Sequence, residues 1–128
     1  MKIDELLIHN IRSIKDSSIF LNDYSLLVGE NNAGKSNIIT ALRLFYEYDI
    51  KFMKDKDFPK FPTDDNESWI EIEYHVSDEE YLTLKEEYKR PGNHFRVRRY
   101  FIAADPELVD PKQSNIYAYE NGILSKNL

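Results

Sequence analysis

Hydrophobic positions along this chain repeat at two periods, and the change from one to the other marks out its elements. Between Lys2 and Ile11, Leu6 and Ile8 fall on one face, which predicts a first strand, with Ile3 and Leu7 less clearly placed. Asn10-Ile11-Arg12-Ser13 is a break, and Ser17 to Leu21 reads as a return strand in which Ile19 and Leu21 alternate with Ser18 and Phe20. Asn22-Asp23 is a turn. Tyr24-Ser25-Leu26-Leu27-Val28 is a short apolar run suited to a buried strand. From Lys35 to about Tyr48 the period becomes helical: Ile38, Leu42 and Phe45 recur on one side with Ile39 and Ala41 beside them, and Arg43 and Glu47 lie opposite.

The second half begins with a polar, irregular segment, Asp49 to Ser68, punctuated by Pro59, Pro62 and Thr63-Asp64-Asp65-Asn66. Trp69 to Val76 then alternates strictly. Ile70, Ile72, Tyr74 and Val76 face one way and Glu71, Glu73 and His75 the other, the habit of an antiparallel sheet with one buried and one wet face. Ser77-Asp78-Glu79-Glu80 is a capping box that predicts a helix to about Lys89, with Tyr81, Leu84 and Tyr88 inward, stopped by Pro91-Gly92. His94 to Ile102 is a further strand. Its Arg96 and Arg98 share a face that could touch nucleic acid or an acidic neighbour, and the preferred expectation is that they pair with Glu71 and Glu73 across the sheet. Asn121-Gly122, between Ile116–Glu120 and Ile123–Leu124, is a strong hairpin signal.

Composition narrows the class. The chain of 128 residues is one domain's worth, 41% hydrophobic and 31% charged, as in a globular protein. No run approaches the roughly 18 apolar residues of a membrane span. Met-Lys-Ile-Asp-Glu puts acids where a signal peptide needs an apolar core, so the expectation is a cytoplasmic protein. There are no cysteines, which removes disulfides and thiolate metal sites and fits a reducing compartment. A net charge of −6 argues against the whole chain acting as an electrostatic nucleic-acid binder, although a local patch stays open. One candidate patch interleaves Phe52, Phe58 and Phe61 with Lys51, Lys54, Lys56 and Lys60. Aromatics among lysines can stack bases and hold phosphates. Asp49, Asp55, Asp57 and Asp64 blunt that field, so the plainer expectation is that the Phe side chains pin the loop to the body.

Chemistry concentrates in Gly29-Glu30-Asn31-Asn32-Ala33-Gly34-Lys35-Ser36, which fits G-x-x-x-x-G-K-[ST], the phosphate-binding loop. The glycines let the backbone curl so that several N–H groups point at one anion. Lys35 is placed to reach the β- and γ-phosphates and the Ser36 hydroxyl to bind Mg²⁺. The helix that follows offers its positive end to the same phosphates. A strand before and a helix after are the context this motif requires, and the pattern supplies both. Elsewhere the chemistry is thin. Glu71, Glu73 and His75 at two-residue spacing read as an ordinary polar face. Tyr100 to Asp105 could pass for an apolar strand ending in a Mg²⁺-binding Asp, but Pro106 follows it and arginines precede it.

The wording Lys-Ile-x-x-Leu-x-Ile-x-Asn-Ile-Arg-Ser, a strand, then Leu-Leu-Val-Gly-Glu-Asn-Asn-Ala-Gly-Lys-Ser-Asn resembles the N-terminus of cassette ATPases of the SMC and RecF type. Asn31-Asn32, Ala33 and Ser36-Asn37-Ile38-Ile39-x-Ala41-Leu42 are closer still to the OLD-family ATPases, bacterial and phage-defence proteins that join such an ATPase to a Toprim nuclease domain. The likeness is specific over residues 1 to about 46. It implies an α/β fold, α+β in part: a P-loop NTPase lobe of ABC type with a mixed, largely antiparallel sheet around the helix starting at Lys35. It implies ATP and Mg²⁺ as cofactors. Gly29, Asn31, Asn32, Ala33, Gly34, Lys35 and Ser36 would form the ATP site, Ser36 would take the metal, Asn37 would help the loop or cap the helix, and Arg12 would lie near the phosphates. It further implies a homodimer closed on sandwiched nucleotide, with DNA and a nuclease domain or subunit as partners. The Ser-Gly-Gly signature loop, the Asp-Glu strand and the Toprim acidic cluster of those relatives have no match here. Residues 1–128 are therefore expected to be the N-terminal ATP-binding lobe, a fragment of a larger ATPase, binding ATP without hydrolysing it alone. A stand-alone nucleotide-binding or protein-interaction module, and a structural lobe with a relic loop, are the alternatives.

Overall fold

The computed structural model describes residues 2–20, 32–47, 50–109, 115–120 and 123–125; the side chains of some of these, 32–37 among them, lie outside the description. The strands are β1 (Lys2–Ile11), β2 (Ile14–Phe20), β3 (Ser68–His75), β4 (His94–Ile102), β5 (Ile116–Glu120) and β6 (Ile123–Ser125). The helices are α1 (Asn32–Tyr46), α2 (Lys54–Asp57) and α3 (Asp78–Thr83). Among the described residues the strands make one sheet in the order β2-β1-β3-β4-β5-β6, with every neighbouring pair antiparallel. The expected phosphate-loop strand Tyr24–Val28 and the turns Asn22-Asp23 and Asn121-Gly122 lie outside the described residues, though β5 and β6 do pair across the last. No helix among the described residues is long and apolar enough to cross a membrane.

One face of the sheet is apolar because the period-2 positions of three strands coincide in register. Leu6 and Ile8 of β1 stand beside Ile72 and Ile70 of β3, and Val97 of β4 beside Ile72. Ile38, Ala41, Leu44 and Phe45 of α1 join them in one buried cluster. Each fully buried aliphatic side chain there contributes about 1.5–3 kcal/mol. The helix opens at Asn32, three residues before the position read from periodicity, because the strong former Ala33 extends a helix already nucleated downstream. It ends at Tyr46, since Glu47 turns to φ +50°. Arg99 of β4 reaches into the same face. Its Nη1 donates to the Phe45 carbonyl at 2.6 Å and its Nη2 pairs with Glu47. A cation thereby satisfies a terminal carbonyl and meets the negative end of the helix dipole.

The face expected to be wet is an ion network instead. Glu71 is only 2% exposed. Arg96 donates to Glu71 and Glu5 at 2.6 Å each and to Glu73 at 3.1 Å. Arg98 donates to Glu71 at 2.9 Å and lies 3.8 Å over the Trp69 ring, and Arg90 reaches Glu73 at 3.0 Å. The expected pairing of Arg96 and Arg98 with Glu71 and Glu73 holds. What alternation alone could not show is that long arginine stems and Trp69 cover the carboxylates.

The capping box forms as read, with Glu80 N donating to Ser77 Oγ and Ser77 N to Glu80 Oε1. The helix does not reach Lys89. It ends at Thr83, Leu84 is extended, and Glu86–Tyr88 makes a separate 3₁₀ turn. That break lets Tyr88 bury its ring beside Phe95, at 6.4 Å between centroids. Asp105 does not end a central parallel strand: it accepts from Glu107 N at the start of the 3₁₀ turn Pro106–Leu108.

Removing one partner from the ion network leaves charges buried without compensation. Glu71→Gln is expected to lower the unfolding free energy by about 3 kcal/mol in urea titrations, whereas exposed Glu79→Gln in α3 stays within about 0.5 kcal/mol. Equal midpoints for the two variants would contradict a structural role for the network.

Candidate functional site

The first turn of α1 contains Asn32, Ala33, Gly34 and Lys35, followed by Ser36 and Asn37. Its leading backbone N–H groups have no partner within the helix. No acidic residue occupies that turn, and the basic residue Arg43 sits in the last turn. The helix thus presents a positive end with no acidic residue in its own first turn, suited to an anion. Gly29 and Asn31 lie outside the described residues, as do the side chains of Asn32, Ala33, Gly34, Lys35, Ser36 and Asn37.

Arg12 occupies the tight turn between β1 and β2 at φ +55°. Such a conformation is costly for a non-glycine residue and needs fixing by its surroundings. Asp57 supplies the fixing. The Arg12 amide donates to the Asp57 carbonyl at 2.6 Å, and Arg12 Nε donates to Asp57 Oδ1 at 2.8 Å. Asp57 is 1% exposed, and its other oxygen accepts the Met53 amide at 2.8 Å. The Arg12 side chain is 38% exposed. Arg12 and Ser13 also border a small cavity of about 60 Å³ against Thr40 and Ala41 of α1. The structure therefore brings Arg12 to the flank of the helix that opens with the phosphate-loop residues.

A second tie holds the same loop. His9 stacks on Trp69 with centroids 4.8 Å apart. Its Nδ1 lies 2.6 Å from Asp16 and its Nε2 2.7 Å from Asp65. Asn10 donates to Asp65 at 3.0 Å, and the Glu67 amide donates to the same carboxylate. Two carboxylates on two ring nitrogens require the imidazolium, which has two donors. Burial opposes that charge, but the hydrogen bonds to Asp16 and Asp65 outweigh it, and the His9 pKa is raised. Burial likewise works against the Asp65 carboxylate, but the hydrogen bonds from the Glu67 amide and His9 prevail, and its pKa is lowered. Sequence reasoning missed both ties. Asp57 and Asp65 are 45 and 55 residues away from Arg12 and Asn10, and no short-range pattern encodes the meeting. Among the described residues no three His, Asp or Glu side chains form a metal-holding group.

A sequence profile of the AAA ATPase domain matches residues 1–127. The Old nuclease of Escherichia phage P2 is 46% identical over 43 residues, which is 34% of this chain and 7% of that protein, so the match spans a small part of the relative. A solved structure from work on ATP-driven dimerization and DNA-stimulated activation of SMC ATPases superposes with a TM-score of 0.53 at 18% identity, covering 98% of this chain and 73% of that one. At that identity the likeness shows the fold alone, an α/β architecture shared over nearly the whole of this chain.

The His9 tie carries a definite pH dependence. A raised His9 pKa contributes stability that is complete below the ordinary value of 6.5 and is lost as pH rises through the folded value. The lowered Asp65 pKa contributes above its ordinary 3.8 and is lost as pH falls through its own folded value. The loop is thus held most firmly between these limits. Trp69, the single tryptophan, should report the His9 step in its fluorescence with a midpoint above 6.5, and Asp65→Asn should lower that midpoint. A midpoint at or below 6.5 in the unaltered chain would refute the doubly bonded imidazolium.

Proposed function

We propose that this chain, which belongs to the AAA ATPase domain family, is the ATP- and Mg²⁺-binding lobe of an OLD-like or RecF/SMC-like ATPase acting in DNA processing or phage defence. The observation that carries the site assignment is the G-x-x-x-x-G-K-S motif meeting a helix that opens at Asn32 without an acid in its first turn. Backbone N–H groups from Asn32 to Ser36 would donate to the phosphate oxygens, Gly29 and Gly34 would let the backbone curl, and Asn31 and Ala33 would complete the loop. Lys35 neutralises the β- and γ-phosphates as a point charge. Asn37 supports the loop from the helix side.

Mg²⁺ suits this donor set. Ser36 offers one hydroxyl, and a hard cation that dehydrates reluctantly completes its shell from phosphate oxygens and water. The ion would neutralise charge on the phosphates, and Ser36 would hold it. Arg12, already oriented by Asp57, adds a cation on the flank of the helix.

Residues 1–128 act as a single lobe of a larger machine. The P2 nuclease match supports an association with a nuclease domain or subunit, and the SMC likeness supports two copies closing on ATP with DNA as a partner. The chain lacks the Ser-Gly-Gly loop of such ATPases, which supports binding without turnover by this chain alone. Closure by a second lobe would then supply what hydrolysis needs: acid for the metal and a group to orient water.

Titration with a fluorescent ATP analogue tests the assignment. Lys35→Ala should weaken binding by a factor of roughly 10 to 100, the value of a charge-assisted bond, and Ser36→Ala should abolish the gain from added Mg²⁺. Arg12→Ala should cost only a few-fold. Unchanged affinity in Lys35→Ala would overturn the phosphate site, and steady ATP turnover by the isolated chain would overturn the claim that it binds without hydrolysing.

A further inference from the structure

The loop between α2 and β3 holds an open cleft of about 680 Å³ lined by Arg12, Ser13, Lys56, Phe58, Lys60 and Phe61. Two rings and three cations in one concavity suit a ligand that is planar and apolar at one end and anionic at the other. One of those cations, Arg12, is paired with an acid of this segment, while two further acids turn to partners outside the cleft. Asp57 is taken by Arg12, Asp64 by Lys15 at 3.5 Å, and Asp65 by His9. Lys60 is held by the Asp55 carbonyl at 2.7 Å, which keeps its ammonium beside the cleft. Among the described residues, Arg12 spends only Nε and its amide on Asp57, and Nη1 and Nη2 make no further bond. Phe52, the third aromatic of the segment, is spent on a stack with Phe101 at 4.9 Å and pins the loop. Phe58 and Phe61 stay half-buried at the cleft.

The cleft also has a place relative to α1. Arg12 and Ser13 line it on one side and touch the cavity against Thr40 and Ala41 on the other. Thr40 lies eight residues beyond Asn32, which is about 12 Å along the helix axis. A ribose carrying three phosphates spans a length of that order, and Arg12 and Ser13, shared by the small cavity beside Thr40 and by the cleft, link the helix to the cleft. A nucleic-acid strand fits less well: the chain is net −6, and three cations around one hollow do not form the track a strand follows.

We propose that this cleft is the base subsite of the nucleotide site: Phe58 and Phe61 stack on the base of the bound triphosphate while Arg12 and Lys56 face its sugar–phosphate end. The inference rests on the phosphate-loop assignment made above and is separable from it, because inorganic tripolyphosphate has the same phosphates and no base. Calorimetric titration of ATP and of tripolyphosphate, both with Mg²⁺, reads the two parts apart. The unaltered chain should bind ATP about tenfold more tightly than tripolyphosphate, in line with one base stacked on an aromatic ring. Phe61→Ala should remove most of that difference and leave tripolyphosphate affinity unchanged, which also shows that the variant is folded. Phe58→Ala should do the same, and Phe61→Tyr should retain the difference. Equal affinity for the two ligands in the unaltered chain, or a Phe61→Ala protein that keeps the full difference, would overturn the base subsite and leave the phosphate loop standing. So would loss of single-stranded oligonucleotide binding in Phe61→Ala with the ATP-to-tripolyphosphate ratio intact, the mark of a strand interface. A Lys35→Ala protein with unaltered affinity for both ligands would overturn the phosphate-loop assignment and this inference with it.

Discussion

The guanidinium of Arg96 is the constraint around which the sheet is arranged. It receives carboxylates from three positions, Glu5 on β1 and Glu71 and Glu73 on β3, while standing on β4. Burial works against the charge, but the hydrogen bonds it donates to those glutamates hold its pKa above the ordinary arginine value. A planar fork that satisfies three acids on two strands tolerates no slip, because moving any strand by one residue would send the glutamates to the apolar face. Fixing that register also fixes Leu6, Ile8, Ile70 and Ile72 under α1, and hence the position from which the helix presents its first turn.

Much of this was legible along the chain, for a physical reason. Alternation at period 2 in Trp69–Val76 and His94–Ile102 determines which residues share a face, and opposite charges on neighbouring antiparallel strands have few other partners available. Glu71, Glu73, Arg96 and Arg98 could therefore be paired from pattern alone. The depth of Glu71 could not, because it depends on where arginine stems and Trp69 fold down. The capping box at Ser77 was equally readable, being local, while the helix beyond it was not. Its apolar spacing through Tyr88 suits a helix, but burial of Tyr88 against Phe95 asks for a different path, and tertiary packing outweighs propensity.

The candidate site divides in the same way. A contiguous motif carries the proposed phosphate loop, because every group such a loop needs lies within eight residues and a helix start. The surroundings of Arg12 were half visible. Its place after Asn10-Ile11 suggested a turn, but the acid that orients it comes from Asp57, and the rings beside it from Phe58 and Phe61, across a loop whose fold has no periodic signature. The interleaved lysines and phenylalanines of that loop separate in three dimensions into a pinned ring, Phe52, and an open hollow.

The two faces of the sheet are held by forces of opposite temperature character. Under α1 the cohesion is apolar burial, which weakens on cooling. On the far side it is the Glu–Arg network, whose desolvation penalty falls as temperature rises. A single sheet therefore carries a layer that loosens in the cold and one that grips better in the heat. Its resistance to unfolding should change more gradually with temperature than either layer would permit alone, and the platform beneath the phosphate-loop helix keeps its shape across a wider thermal range.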